Sequence, residues 1–222
     1  MTVTLVFLAV LMAAFAGWLI SQSVNVKPWV AASPEAVRAH HWPAGLTAPR
    51  IALVVFLAVV TSLFALGVSA YLSRMEYGVD WEPVPEPGLL WLNTGVLVLA
   101  SVALQTAWKA ARQGNGVRLM RWLAAGGLLT VAFIAGQLIV WRGLADAGYY
   151  VASNPANAFF YLLTGLHALH LLGGLIAWTR PLVRLSRGGA PGEVLGAVEL
   201  CAVYWHYLLA IWAALFAILL YS

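Results

Sequence analysis

Apolar residues in this chain come in long, nearly unbroken runs, with neither the strict alternation of a half-buried strand nor the narrow stripe of a soluble amphipathic helix. A helix rises about 1.5 Å per residue and a bilayer core is about 30 Å thick, so a crossing needs roughly twenty such residues. Six runs reach that length: Thr2–Ile20, Ile51–Leu72, Leu89–Trp108, Leu119–Trp141, Ala158–Trp178 and Val194–Tyr221. The gaps between them hold breakers, among them Pro28, Pro34 and Pro43 in the first, Pro83, Pro85 and Pro87 in the second, and Pro181, Gly188 and Pro191 in the fifth. The pattern predicts an all-α integral membrane helical bundle of six transmembrane helices. Residues 1–22 form an extra N-terminal transmembrane helix, 23–49 a Pro-rich connector and 50–222 a five-helix bundle. Ala14-Phe15-Ala16 imitates a signal-cleavage site, but no basic segment precedes the first run, which is therefore expected to be a retained helix.

Composition sharpens this. The chain of 222 residues is 63% apolar and 9% charged, against about 25% charged in soluble domains, which excludes a soluble enzyme domain because the helices have no polar outer faces. The net charge of +4 is better read as topology than as nucleic-acid binding. Ten of the twelve basic residues fall in the first, third and fifth gaps or their flanks (Lys27, Arg38, Arg50; Lys109, Arg112, Arg118, Arg121; Arg180, Arg184, Arg187). The other two gaps collect Glu76, Asp80, Glu82, Glu86 and Asp146. The positive-inside rule then puts the three basic gaps in the cytoplasm and both termini outside. Trp29, Trp81, Trp91, Trp108, Trp141 and Trp178 lie near span ends and read as an aromatic belt.

Polar residues inside the spans are where chemistry would be sought. Thr164, His167, His170 and Gly174 share one face of the fifth span; Glu199 and His206, seven apart, share a face of the sixth. Ala202, Ala210, Ala213 and Ala217 extend that second face as a small-residue packing stripe. Two readings are open. The histidines and Glu199 join helices by hydrogen bonds of about 0.6–2 kcal/mol each, or His167 or His170 faces His206 and the pair ligates a b-type haem. The lone cysteine, Cys201, offers neither a disulfide nor a cysteine metal site, and three histidines with one glutamate are a weak metal pattern. His40 and His41, beside Trp42 and Pro43, read as a solvated turn; Gln105 and Gln137 as a polar seam or bonds to nearby backbone; Glu199 and Lys109 as snorkelling groups near span ends. The second, third and fourth spans contain no Asp or Glu, which argues against a transmembrane proton route, and a transporter's paired broken helices are missing.

The segment Phe159–Gly174, with Phe160, Thr164, Gly165, His167 and His170, resembles the phenylalanine-led T-G-x-H-x-x-H signature of subunit III of haem-copper cytochrome c oxidases. Glu199 with Tyr204-Trp205-His206 resembles that family's E-x-x-x-x-Y-W-H, and Trp212 follows at its motif tryptophan. Asn93 in Leu92-Asn93-Thr94, the Gly114-Asn115 turn and Gln137 agree in order and spacing, and Val55–Ala58 with Phe64 is similar to the family's first bundle helix. The resemblance covers about Pro49 to Ser222. It departs where members usually carry acids, at positions here occupied by Val60, Val140 and Leu209, and where longer members begin with two helices instead of one.

The resemblance implies a subunit of a bacterial inner-membrane oxidase with no catalytic residue, metal or redox centre of its own. Haem and copper would sit in partner subunits I and II, which carry electrons from cytochrome c to oxygen and pump protons. This chain would stabilise the catalytic subunit and bind phospholipid between its helices. Thr164, His167, His170, Glu199 and His206 would then make structural polar contacts between the last two helices. A subunit III-like accessory protein of a nitric oxide reductase and a b-type membrane cytochrome are the alternatives.

Overall fold

The computed structural model describes residues 47–78, 80–85 and 88–221, and within them five helices: α1 Ala48–Tyr77, α2 Leu89–Arg112, α3 Gly116–Asp146, α4 Pro155–Ser186 and α5 Pro191–Tyr221. All five are long and apolar enough to cross a membrane. They contain the second to sixth runs of the sequence. The expected first span, Thr2–Ile20, and the connector as far as residue 46 lie outside the described residues.

The helices run past the apolar stretches because their end turns are polar. Asn115 caps α3 by accepting a hydrogen bond from the Arg118 N–H, so the helix begins at Gly116, three residues before the expected start at Leu119. Asn154 does the same for α4 through Asn157 N–H, with Pro155 in the first turn, where its missing N–H costs nothing. Gly114, Gly148 and Gly188 end α2, α3 and α4 in left-handed conformation, at φ of 70°, 91° and 86°. Pro181, read from the sequence as a linker residue, instead lies inside α4 and is buried. A proline ring removes one hydrogen bond of a helix and does not by itself end one.

Helices α2, α3, α4 and α5 close a ring in which α2 packs on α3 and α5, and α4 completes the circuit between α3 and α5. The α2–α3 seam is built on small residues. Ala100, Ala107 and Ala111 are buried on α2, and a Cβ at Gly126 of α3 would stand 2.7 Å from Leu104 Cγ. At Gly127 a Cβ would run into the Trp178 indole. The alanine stripe expected on α5 does not pack in this way: Ala202 is buried, but Ala210, Ala213 and Ala217 are exposed. The buried face of α5 is carried by Trp205, Leu208, Trp212 and Leu215.

Helix α1 lies outside the ring, against α4 and α5. Its buried residues are Val60, Phe64 and Tyr71, and Gly67 gives Leu163 of α4 room to approach.

Candidate functional site

Tryptophan and threonine organise the ring. Each of three threonines donates its hydroxyl hydrogen to the carbonyl one turn back and accepts an indole N–H from a different helix. Trp212 of α5 donates to Thr94 of α2 at 2.9 Å, Trp205 of α5 to Thr130 of α3 at 2.8 Å, and Trp141 of α3 to Thr164 of α4 at 3.2 Å. The back-bonds run to Leu90, Gly126 and Phe160 respectively. A fourth indole, Trp178 of α4, donates to the Leu123 carbonyl of α3 at 3.0 Å. Trp141 and Trp178, expected in an interfacial belt, thus point their N–H groups into the protein, because a partly buried indole must satisfy its donor there. The other motif positions surround these bridges: Phe160 is fully buried, and Gly165 has van der Waals room for little more than a Cβ beside the Trp141 ring.

The polar contacts of the last two helices reach beyond that pair. Tyr204 does join them, its hydroxyl donating to the His170 carbonyl at 3.0 Å, an approach permitted by Gly174, where a Cβ would meet the tyrosine ring at 2.7 Å. Glu199, however, takes Arg50 of α1 as its partner, with one guanidinium nitrogen 2.8 Å from both carboxylate oxygens. It is an interhelical tether, not a snorkelling charge. His206 turns to α2, where Gln105 Oε1 lies 2.9 Å from Nε2 and Ser101 Oγ contacts Nδ1. An amide oxygen can only accept, so Nε2 carries the proton and Nδ1 accepts from Ser101. His170 donates Nδ1–H to the Leu166 carbonyl at 2.7 Å and packs its ring on Phe64 and Phe56 of α1.

His167 is fully enclosed by Phe133, at 5.8 Å between ring centroids, and Trp212, at 5.2 Å. The haem reading required two imidazoles to converge on one iron. In the structure His206 is bonded across to α2, His170 lies against Phe64 and Phe56 of α1, and His167 packs on Phe133 and Trp212. Among the described residues no three His, Cys, Asp or Glu side chains group as metal ligands. Asn93 and Gln137 are also buried, at 3% and 1% exposure. Val60 and Val140, at two of the positions where acids were expected by resemblance, belong to the apolar core.

Between α1, α4 and α5 lies a cleft of about 910 Å³. Its walls include Leu53, Phe56, Ile176, Ala177, Leu200 and Cys201, with His170 and Tyr204 within it and Arg180 at its edge.

Sequence reasoning missed Arg50, Ser101 and Thr130 as partners. Arg50 was counted as a loop charge, and a hydroxyl within an apolar helix leaves no periodic mark that would name its mate.

A model of the family described as "Cytochrome c oxidase subunit III" matches residues 4–222 of the chain. A relative from Mycobacterium tuberculosis, named "Probable cytochrome c oxidase subunit 3", is 34% identical over 160 residues, covering 71% of this chain and 77% of the relative. One from Corynebacterium diphtheriae, "Cytochrome c oxidase subunit 3", is 28% identical over 195 residues, 83% of this chain and 92% of its own length. A protein of Aeropyrum pernix named "Heme-copper oxidase subunit I+III" is 26% identical over 191 residues, 79% of this chain and 23% of that protein.

Proposed function

The chain belongs to the cytochrome c oxidase subunit III family, and from that premise we propose that it is the non-catalytic subunit III of a bacterial terminal oxidase, bracing the catalytic subunit and holding phospholipid. It is an integral membrane protein of a multi-subunit haem-copper oxidase. The observation that carries the reading is that the two signature segments meet in the ring as helix-to-helix bridges, with Trp205 and Trp212 of one segment bonded to α3 and α2 and Thr164 of the other bonded to α3. Such an arrangement braces a bundle. On the family reading, haem and copper belong to subunits I and II, which supply the electron transfer from cytochrome c to oxygen and the proton pumping. The fused relative, whose name joins subunits I and III, supports subunit I as the neighbour.

The cleft supports the lipid reading. Its apolar walls suit acyl chains, and Arg180 at the rim suits a phosphate. With the basic gaps facing the cytoplasm of a bacterial inner membrane, that rim lies on the cytoplasmic side, where anionic headgroups meet basic residues. Valines at positions 60 and 140 favour, as a second reading, an accessory subunit of a nitric oxide reductase.

Affinity purification of the tagged chain in mild detergent, with identification of co-purifying subunits, lipid analysis and a reduced-minus-oxidised spectrum, tests both. The proposal expects a haem-bearing subunit I, a copper-bearing subunit II, oxygen reduction, retained phospholipid and a colourless separated chain. Nitric oxide reduction without oxygen reduction supports the second reading, and a b-type spectrum on the isolated chain overturns both.

A further inference from the structure

Three buried side chains at one level of the ring have polar atoms without a protein partner among the described residues: Asn93 Nδ2, both amide atoms of Gln137 and both ring nitrogens of His167. Their residues are 3%, 1% and 0% exposed. They come from α2, α3 and α4. Phe133 of α3 packs on His167, and Trp141 of α3 bonds Thr164, so Gln137, one turn from each aromatic and buried like Phe133, stands at the height of Thr164 and His167. Gly136, next to it, faces Asn93, whose amide occupies the space a Cβ would need. Trp212 packs on both His167 and Phe133 and bonds Thr94, the residue after Asn93.

The nearby hydroxyls have no hydrogen left for these groups. Thr94 and Thr164 each spend their one O–H on a carbonyl, so neither can donate to Gln137 Oε1 or to the acceptor nitrogen of His167. A buried amide or imidazole left without hydrogen bonds is costly, and the cost is greatest in a bundle surrounded by lipid. The groups present also mix signs: Asn93 Nδ2 and Gln137 Nε2 donate, Gln137 Oε1 accepts, and a neutral His167 does one of each. That combination suits a small ligand that both donates and accepts and makes about 3 hydrogen bonds, which describes a water molecule. An ion does not suit it, because no charged side chain is among the three.

We propose that Asn93, Gln137 and His167 enclose an internal water site at the centre of the ring, through which α2, α3 and α4 are hydrogen-bonded to one another. The inference concerns residues of this chain alone and does not depend on which reaction its partners perform.

The test is a structure of the intact complex at a resolution that shows ordered water. The expected result is a density peak within hydrogen-bonding distance of the Gln137 amide and a His167 ring nitrogen, with Asn93 directed at it. A direct Gln137–His167 bond with no peak overturns the proposal, as does an apolar gap. A second measurement is a thermal unfolding cycle on the purified complex with Gln137→Leu, His167→Phe and the double variant. A shared water predicts that both single changes lower the midpoint and that the double change lowers it by clearly less than their sum. Additive shifts overturn the proposal.

Discussion

The ring and α1 are built from the same apolar alphabet and are held in different ways. In the most apolar stretches of α2 to α5, 33–39% of residues are buried, against 11% in α1. Lipid is as apolar as leucine, so burying a side chain between membrane helices gains little hydrophobic free energy; close packing and hydrogen bonds must hold the helices together. The ring has both, in its glycine and alanine seam and its three tryptophan–threonine bridges. Helix α1 has a narrow packed line through Val60, Phe64 and Tyr71, with Arg50–Glu199 near one end and a Thr61–Tyr207 hydroxyl contact of 2.9 Å nearer its middle. Val54, Val59, Leu63 and Leu66 are left exposed. The contrast teaches that the ring specifies itself, while α1 is a tethered arm whose free faces are available to lipid and to neighbouring chains.

Breaking the ring should have the largest effect. Trp212→Ala removes a fully buried indole, its bond to Thr94 and its packing on Phe133, Phe216 and His167. The expected cost is about 3–5 kcal/mol, read as loss of folded chain and of assembled complex in detergent extracts. Next comes His206→Leu, which breaks the link to Ser101 and Gln105 for about 1–2 kcal/mol. It should lower the yield of complex while the surviving complex turns over normally; full yield with turnover lost would contradict a structural role.

The arm should respond more gently. Glu199→Gln weakens a partly exposed ion pair and should cost about 1 kcal/mol or less. Limited proteolysis in the segment between α1 and α2 should quicken, with the unfolding midpoint of the ring nearly unchanged. Tyr207→Phe, which removes the contact to Thr61, should be the mildest at about 0.6 kcal/mol, visible as a small further gain in cleavage when combined with Glu199→Gln.

Much of this was legible in the sequence, for reasons that also explain the remainder. Unbroken apolar length located all five described helices, because a bilayer demands about twenty such residues whatever the packing. The helix ends were misjudged where Asn115 and Asn154 add polar capping turns and where α4 continues through Pro181. Helical spacing says nothing of a distant mate: Arg50 lies 149 positions from Glu199, and Thr94 lies 118 from Trp212. The alanines of α5 misled because small residues permit close approach without requiring it, and here the tryptophans take the interior.

That arrangement bears on the order of events during synthesis. Helix α5 is the last of the five to be made, and it brings Trp205, Trp212, His206 and Glu199, the partners of Thr130, Thr94, Ser101, Gln105 and Arg50. Until it leaves the ribosome, three earlier helices hold polar groups whose partners on α5 do not yet exist. The residues of α5 therefore act as the latch of the five described helices. A nascent chain stopped short of them would stay open in the membrane, a target for proteolysis before it could join any complex.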